Sequence, residues 1–528
     1  MRYRLRSTVF VSGLLMPLLL SAGLALAMDQ DGRDPVPSVN GVDAAAFIAP
    51  AEERLDKLVG SADIAVLDNV DDRFVQGMIG YPLFTDEVAG RASAADLFDS
   101  VQAGRMFSRE NQAALARQEQ ARAQSGQARG LLLPSLNAQA SRGYENSKPS
   151  VIIDPASGEL VSSDTHMRTD ASMTLRQPLF NLPDFLDWQR RKIVEQSRSE
   201  NFRGSDGDAF LDTVRAYVSL VSSRLQADVT RDFEARLGEL LDYIEKRTTA
   251  GASSVSDMAR VRARIQETLS TRLEQESAHA TAGVEFVRLT NFLPEKLRLP
   301  TLDDVGGSLL PETFDAAVRL ALQRNPEIAA LTLEVSAAST DQKVAQARYL
   351  PSLDAEYSDT FSRGAGGDDD PNGQRDRRLM LVLNWNLLSG GKDYYTRVER
   401  FARHRELQYR LDDQRRRVIQ ALSSHFSALE TTRERIVFGY QELASIATAA
   451  QAMSKRMLAG NQSLLDLLDV YDRFYQARSR LISLHLFEIS TVAQLIRLTH
   501  GTPWTIDAES LAVAAEPQSS SAADKQDL

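Results

Sequence analysis

The feature that most constrains the fold is a stretch that occurs twice. Ala250-Gly251-Ala-Ser-Ser254-Val-Ser-Asp257 and Ala459-Gly460-Asn-Gln-Ser463-Leu-Leu-Asp466 share an Ala-Gly, Ser-x-x-Asp skeleton at a separation of 209 positions. Each is followed by a helical run that ends in Arg-Leu-Thr, at Arg288–Thr290 and Arg497–Thr499, again 209 apart. A shared spacing over so long a segment marks a tandem duplication. Whatever one half folds into, the other half must repeat.

The rest of each half follows the same order. Helical runs from Ala94 and Thr313 stop at Leu133-Pro134-Ser135-Leu136 and Leu350-Pro351-Ser352-Leu353. Proline ends a helix because it lacks an N–H and clashes with the preceding turn. We expect strands next, at 136–145 and 169–179 in the first half and at 353–362 and 377–387 in the second. Apolar residues alternate in two of them: Ala171, Met173, Leu175, and Leu379, Leu381, Leu383, Trp385, Leu387. A period of two with one apolar face is the mark of a half-buried strand. Trp385 and Tyr357 read first as lipid-facing or interfacial aromatics, with ordinary packing the close alternative. Two helical runs of about 67 residues follow, to Thr249 and Leu458, each long enough to reach ~100 Å. Apolar residues recur in them at helical spacing, as in coiled coils. Gly204-Ser-Asp-Gly207 predicts a kink in the first. Return helices run from Asp257 to Asn291 and from Asp466 to His500.

Composition limits what this plan can serve. The chain has no cysteine, which excludes disulfides, thiolate metal sites and a lipidated N-terminal cysteine. A net charge of −11 argues against nucleic acid as a partner. Arg2, Arg4 and Arg6 precede an apolar run to Leu26 and an Ala25-Leu-Ala27 cleavage pattern, so residues 1–27 read as a signal peptide and not as a membrane anchor. Beyond residue 28 no uninterrupted apolar run reaches the ~18 residues of a transmembrane helix. An exported chain of this kind that spans a membrane must do so as a closed β-barrel. Four strands are too few, since the smallest bacterial barrels have about 8. Oligomerisation is implied, and three copies would supply twelve strands.

Together these features resemble the TolC family of outer-membrane channel proteins over residues 94–502. The resemblance rests on the doubled helix–strand–strand–helix plan, the Leu-Pro-Ser-Leu junctions, and the Gln177-Pro-Leu-Phe180 and Leu388-Ser-Gly-Gly391 strand exits. The Ala-Gly tips and Ala321-Leu322 with Asn325-Pro-Glu-Ile328 add to it. It implies a mainly α fold with a β-barrel part: a long coiled-coil-like helical tunnel plus four barrel strands per chain, closed as a twelve-stranded barrel in a homotrimer. It also implies a place in the outer membrane of a Gram-negative bacterium, with the tunnel in the periplasm. The tips Ala250, Gly251, Ser254, Ala459, Gly460 and Ser463 would dock a periplasmic adaptor (membrane fusion protein). That adaptor would serve an inner-membrane ABC transporter or proton-driven pump. Asp466 and Asp469, with Asp257, align with the family's acidic ring at the tunnel mouth. Where the family's archetype has a gate-closing Tyr and Arg, this chain has Met457 and Gln462, so a closed gate must be held differently.

The corresponding domain plan is an N-terminal extension at 28–93, a first repeat at 94–291, a linker at 292–312, a second repeat at 313–502 and a C-terminal tail at 503–528. Ser254-x-x-Asp257 and Ser463-x-x-Asp466 both fit a helix capping box, so the acids have a structural reading beside the gate reading. Asp469 lies one turn past Asp466, and capping does not need it. An enzyme is not expected. The six histidines are scattered. Gly390-Gly391-Lys392 resembles the end of a phosphate loop, but Asp393 stands where Ser or Thr is required. No cofactor or metal is implied. The reading is an export duct in contact with outer-membrane lipid and its exported cargo. Type I secretion of a protein such as a large adhesin is the leading reading, the outer-membrane component of a multidrug or metal efflux pump is the alternative, and a periplasmic coiled-coil scaffold without a pore is the reading from another class.

Overall fold

Proline and glycine punctuation divides the chain into two sets of helices and strands. The computed structural model describes residues 66–68, 96–146, 158, 165–367, 372–459 and 462–504. The expected signal peptide, most of the N-terminal extension, Gly460 and the tail beyond residue 504 lie outside the described residues. The elements are β1 (Val66–Asp68), α1 (Leu97–Phe107), α2 (Arg109–Gly130), β2 (Ser135–Glu145), β3 (His166–Phe180), α3 (Leu182–Thr249) and α4 (Val255–Thr290). After these come β4 (Lys296–Arg298), α5 (Phe314–Arg324), α6 (Pro326–Ala347), β5 (Ser352–Arg363), β6 (Gln374–Asn384), α7 (Lys392–Leu458) and α8 (Leu464–His500).

Three expectations need correction. The opening helix of each half is two helices. Ser108 ends α1 and caps α2 by accepting from Asn111 N–H at 3.3 Å, and Asn325 caps α6 by accepting from Glu327 and Ile328 N–H at 3.0 and 3.2 Å. Pro326 at the first turn of α6 suits a helix start, where its missing N–H costs nothing. Strand β6 ends at Asn384, so Trp385 and Leu387 lie beyond it; Trp385 Nε1 donates instead to the Tyr349 carbonyl at 3.1 Å. The third concerns Gly204 and Gly207, which sit inside one continuous 68-residue helix. Gly207 is there for close approach, because a Cβ at that position would lie 2.6 Å from Arg497 Cδ and 2.8 Å from the Gly501 carbonyl oxygen.

The long helices pack as the periodicity demands. On α7 the series Val418, Leu422, His425, Leu429, Thr432, Ile436 steps by four and three, which keeps one seam on one face. Val418, Leu422, Leu429, Thr432 and Ile436 of this seam are buried. Helix α8 packs against α7, and α3 packs against α2, α4, α6 and α8, so the two halves share a wall. One described helix, α8, is long and apolar enough to cross a membrane by length and composition alone. Its C-terminal half is buried in this wall at Ile489, Val492, Ala493, Leu495 and Ile496. Near the same level, β1 pairs antiparallel with β4, and Tyr217 Oη donates to the Arg298 carbonyl at 2.7 Å. Arg105, fully buried, grips Asp206 through Nε at 2.8 Å and Nη2 at 2.5 Å and donates to the Trp504 carbonyl at 3.1 Å.

The four long strands form one antiparallel sheet in the order β2-β3-β5-β6. Its register joins the two halves through β3 and β5. One row across the sheet reads Leu136, Leu175, Tyr357, Leu379; the next reads Asn137, Thr174, Ser358, Arg378. Partners in register point to the same face and successive rows to opposite faces. The sheet therefore has an apolar and a polar face, and the apolar residues Leu136, Leu175, Leu379, Leu381 and Leu383 are exposed. Strands β2 and β6 are its edges.

Candidate functional site

At the end of the helices away from the sheet, the two duplicated turns meet. Leu240, Ile244 and Val261 of the first half bury a small apolar cluster with Met457, Leu464 and Leu467 of the second. Each turn follows from local chemistry. After α3, Gly251 takes a left-handed conformation with φ 74°, which costs glycine nothing. Ser254 Oγ then accepts from Asp257 N–H at 3.1 Å, while the Asp257 carboxylate accepts from Ser254 N–H at 3.4 Å. The expected capping box is formed here.

The second turn does not copy it. Ser463 Oγ accepts from Leu465 N–H at 3.3 Å, and Asp466 Oδ2 accepts from Gln462 Nε2 at 2.7 Å. Asp466 is thus not used in a capping box, and its carboxylate is exposed. The three acids also differ in charge environment. Asp257 lies 3.5 Å from Arg260 Nη1, and Asp469 lies 3.0 Å from Arg473 Nε. No ion pair of Asp466 is present among the described residues. Ala250, Gly251, Ser254, Ala459 and Ser463 sit at the exposed extremity of the two turns.

What holds the two turns together was not foreseen from the sequence. Arg247 Nη1 and Tyr243 Oη, both from the last turns of α3, donate to the Met457 carbonyl at 3.3 and 3.4 Å. Arg247 Nη2 also donates to the Ala252 carbonyl at 3.2 Å. Further from the tip, Arg264 pairs with Asp472, and Arg478 Nη1 with Asp232 Oδ2 at 2.8 Å. These bonds all run between the two halves, apart from that to Ala252. A carbonyl acceptor leaves no mark in a sequence, so the only legible signals were the positions of Tyr243 and Arg247, one turn apart on α3.

Chemically the tip offers exposed carboxylates, a polar clasp and an apolar plug. Among the described residues no group of three or more His, Asp or Glu side chains is placed to hold a metal ion. The Gly390-Gly391 turn, at φ 61° and 86°, leads from β6 into α7, and Ser389 Oγ donates to the Asp393 carboxylate at 2.5 Å.

Comparison with known proteins bears on the whole arrangement. A family model described as "Outer membrane efflux protein" matches residues 108–291 and 317–500. The alkaline protease secretion protein AprF of Pseudomonas aeruginosa is 23% identical over 376 residues, covering 70% of this chain and 77% of AprF. The outer membrane protein TolC of Escherichia coli is 22% identical over 411 residues, covering 74% of this chain and 79% of TolC. Among solved structures, the outer membrane protein VceC from Vibrio cholerae superposes with a TM-score of 0.65 at 15% identity, covering 77% of this chain and 97% of VceC.

Proposed function

Because the chain belongs to the outer membrane efflux protein family, whose members are outer-membrane exit channels of tripartite export systems, we propose that it is the exit duct of a type I secretion system for a protein cargo. The observation that carries the export reading is the sheet. It has a continuous apolar row, a polar row behind it, and two open edges, β2 and β6. An exposed strand edge is a liability unless it is paired. Pairing β6 of one copy with β2 of the next would close a barrel from three copies, with the polar face lining the pore and the apolar face toward lipid. A periplasmic scaffold has no use for such a face.

The choice of protein cargo is favoured by the relative named for alkaline protease secretion. The second reading, small-molecule efflux, is favoured by the family's own description. In either case the halves 94–291 and 313–502 act as the two structural repeats of each protomer. The tips, with Ala250, Gly251, Ser254, Ala459, Gly460 and Ser463, form the adaptor-docking end, and Asp466, Asp469 and Asp257 lie at the tunnel mouth. The test is deletion of the gene followed by two readouts. Loss of a large protein from the culture medium, with drug and metal tolerance unchanged, supports secretion. The reverse pattern supports efflux. A heat-modifiable trimer in the outer-membrane fraction checks the duct itself, and a soluble periplasmic species would sink it.

A further inference from the structure

We propose that the lipid-facing surface of the sheet carries a binding site for the phosphorylated headgroup of an outer-leaflet glycolipid, built from Arg142, Arg363, Arg375 and Arg377. The inference rests on the outer-membrane barrel reading above. Along β6 the residues on the apolar face run Leu383, Leu381, Leu379 and then change to Arg377 and Arg375. Along β5, Ala355 and Tyr357 give way to Asp359, Phe361 and Arg363. Along β2, Leu136, Ala138 and Ala140 give way to Arg142. The register places all of these on one face, since Arg377 pairs with Asp359, Asp359 with Met173, and Met173 with Ala138.

On every one of these strands the change comes toward the end remote from the helices. Arginine is costly on a lipid face at the bilayer midplane and tolerated near the headgroups. The change from leucine to arginine thus marks the outer headgroup layer. Four arginines on one patch attract a counter-charge. Asp359 is the one acid on this face among the described strand residues. It accepts from Arg375 Nε and Nη2 at 2.9 and 2.6 Å and from Arg377 Nε at 3.3 Å. Four arginines less one aspartate leave a surplus of three positive charges per chain. Arg375 and Arg377 keep 57% of their side chains exposed while Asp359 fixes their direction. A guanidinium fork matches a phosphate oxygen pair, and the leucines beside it suit acyl chains. The alternative occupant is the chain's own Asp368-Asp-Asp370 segment between β5 and β6.

The experiment uses the full-length protein in detergent, with native mass spectrometry to count retained lipid. The probes are diphosphoryl lipid A, fully dephosphorylated lipid A and inorganic phosphate. We expect the diphosphoryl form to be retained, and the dephosphorylated form about tenfold less. Arg375→Gln with Arg377→Gln should lower retention about tenfold, while Arg378→Gln on the opposite face leaves it unchanged. Arg142→Gln with Arg363→Gln is the second variant, should the first fail to assemble. Equal retention by the wild type and both double variants would overturn the site. So would displacement of the lipid by millimolar inorganic phosphate, or retention seen only after Asp368, Asp369 and Asp370 are changed to Asn. Heat-modifiable trimers and bilayer conductance, measured on the same samples, report the barrel reading separately.

Discussion

Arg247 at the end of α3 donates to the main-chain carbonyl of Met457 at the end of α7, 3.3 Å away, and so ties the first duplicated turn to the second. The donor is charged and half-buried, and such bonds contribute about 1.5–3 kcal/mol when well formed. The Met457 side chain is 4% exposed, so the same residue plugs the tip and anchors the clasp. Arg247→Ala removes the charged donor and leaves only the 3.4 Å bond from Tyr243. We expect a looser mouth, read as a larger single-channel conductance in planar bilayers and greater entry of bulky antibiotics. Unchanged conductance would show that the Arg247 bond is not what holds the tips together.

The acids at the tip are not equivalent. Asp469 has Arg473 at 3.0 Å and Asp257 has Arg260 at 3.5 Å, so at a distance each pair presents little net field. Among the described residues, Asp466 meets only the neutral amide of Gln462. If the mouth filters ions, Asp466 should carry the effect. We expect Asp466→Asn to lower cation selectivity in asymmetric salt more than Asp469→Asn does. Asp257→Ala should instead remove the capping box and cost about 1 kcal/mol of stability with little change in selectivity. A larger selectivity change from Asp469→Asn would reverse this assignment.

The duplicated turns, the proline junctions and the alternating strands were legible in the sequence because each is set by local backbone chemistry. Arg288 and Arg497 show where that legibility stops. They occupy the same place in the repeat, and the threonines two positions on behave alike: Thr290 and Thr499 are fully buried and donate to the carbonyls four residues back. The arginines do not. Arg288 makes a surface pair with Glu285, whereas Arg497 is buried and bridges Asp208 and Glu327. Partners so far apart in the chain are set by how the halves pack, which spacing does not encode. Tyr243 and Arg247 were missed for the same reason, since their acceptor is a carbonyl. The split at Ser108 was also missed, although Asn325-Pro326 in the second half gave a local sign of it.

Close approach between the halves makes a further expectation. A methyl group on Gly207 would meet Arg497 Cδ at 2.6 Å and the Gly501 carbonyl at 2.8 Å. The arginine is held by two carboxylates and the carbonyl is main chain, so neither can give way cheaply. Overpacking of this kind typically costs 1–3 kcal/mol. Gly207→Ala should lower the temperature at which the protein unfolds on heating. Gly238→Ala, on the same helix with nothing within 4 Å of the added carbon, should leave that temperature unchanged or raise it.

Acid should weaken the helical wall through His425. This residue occupies the α7 seam between Leu422 and Leu429, where burial, aided by the nearby Arg215 charge, holds its imidazole below the usual value of 6.5. Burial, with Arg324, does the same to His500. A histidine with a lowered folded pKa binds fewer protons than its unfolded form in the window between the lowered value and 6.5. Stability therefore rises with pH through that window and is complete above it. Two carboxylates act in the opposite sense, because partial burial raises the exposed Asp212 and the half-buried Asp228 and so favours their protonation in the fold. The informative quantity is thus the difference between the wild type and His425→Gln, which cannot titrate. We expect that difference in unfolding temperature to change between pH 7.5 and pH 5.5, with the wild type losing more than the variant on acidification. A difference that stays constant across that range would mean that His425 carries no part of the pH dependence.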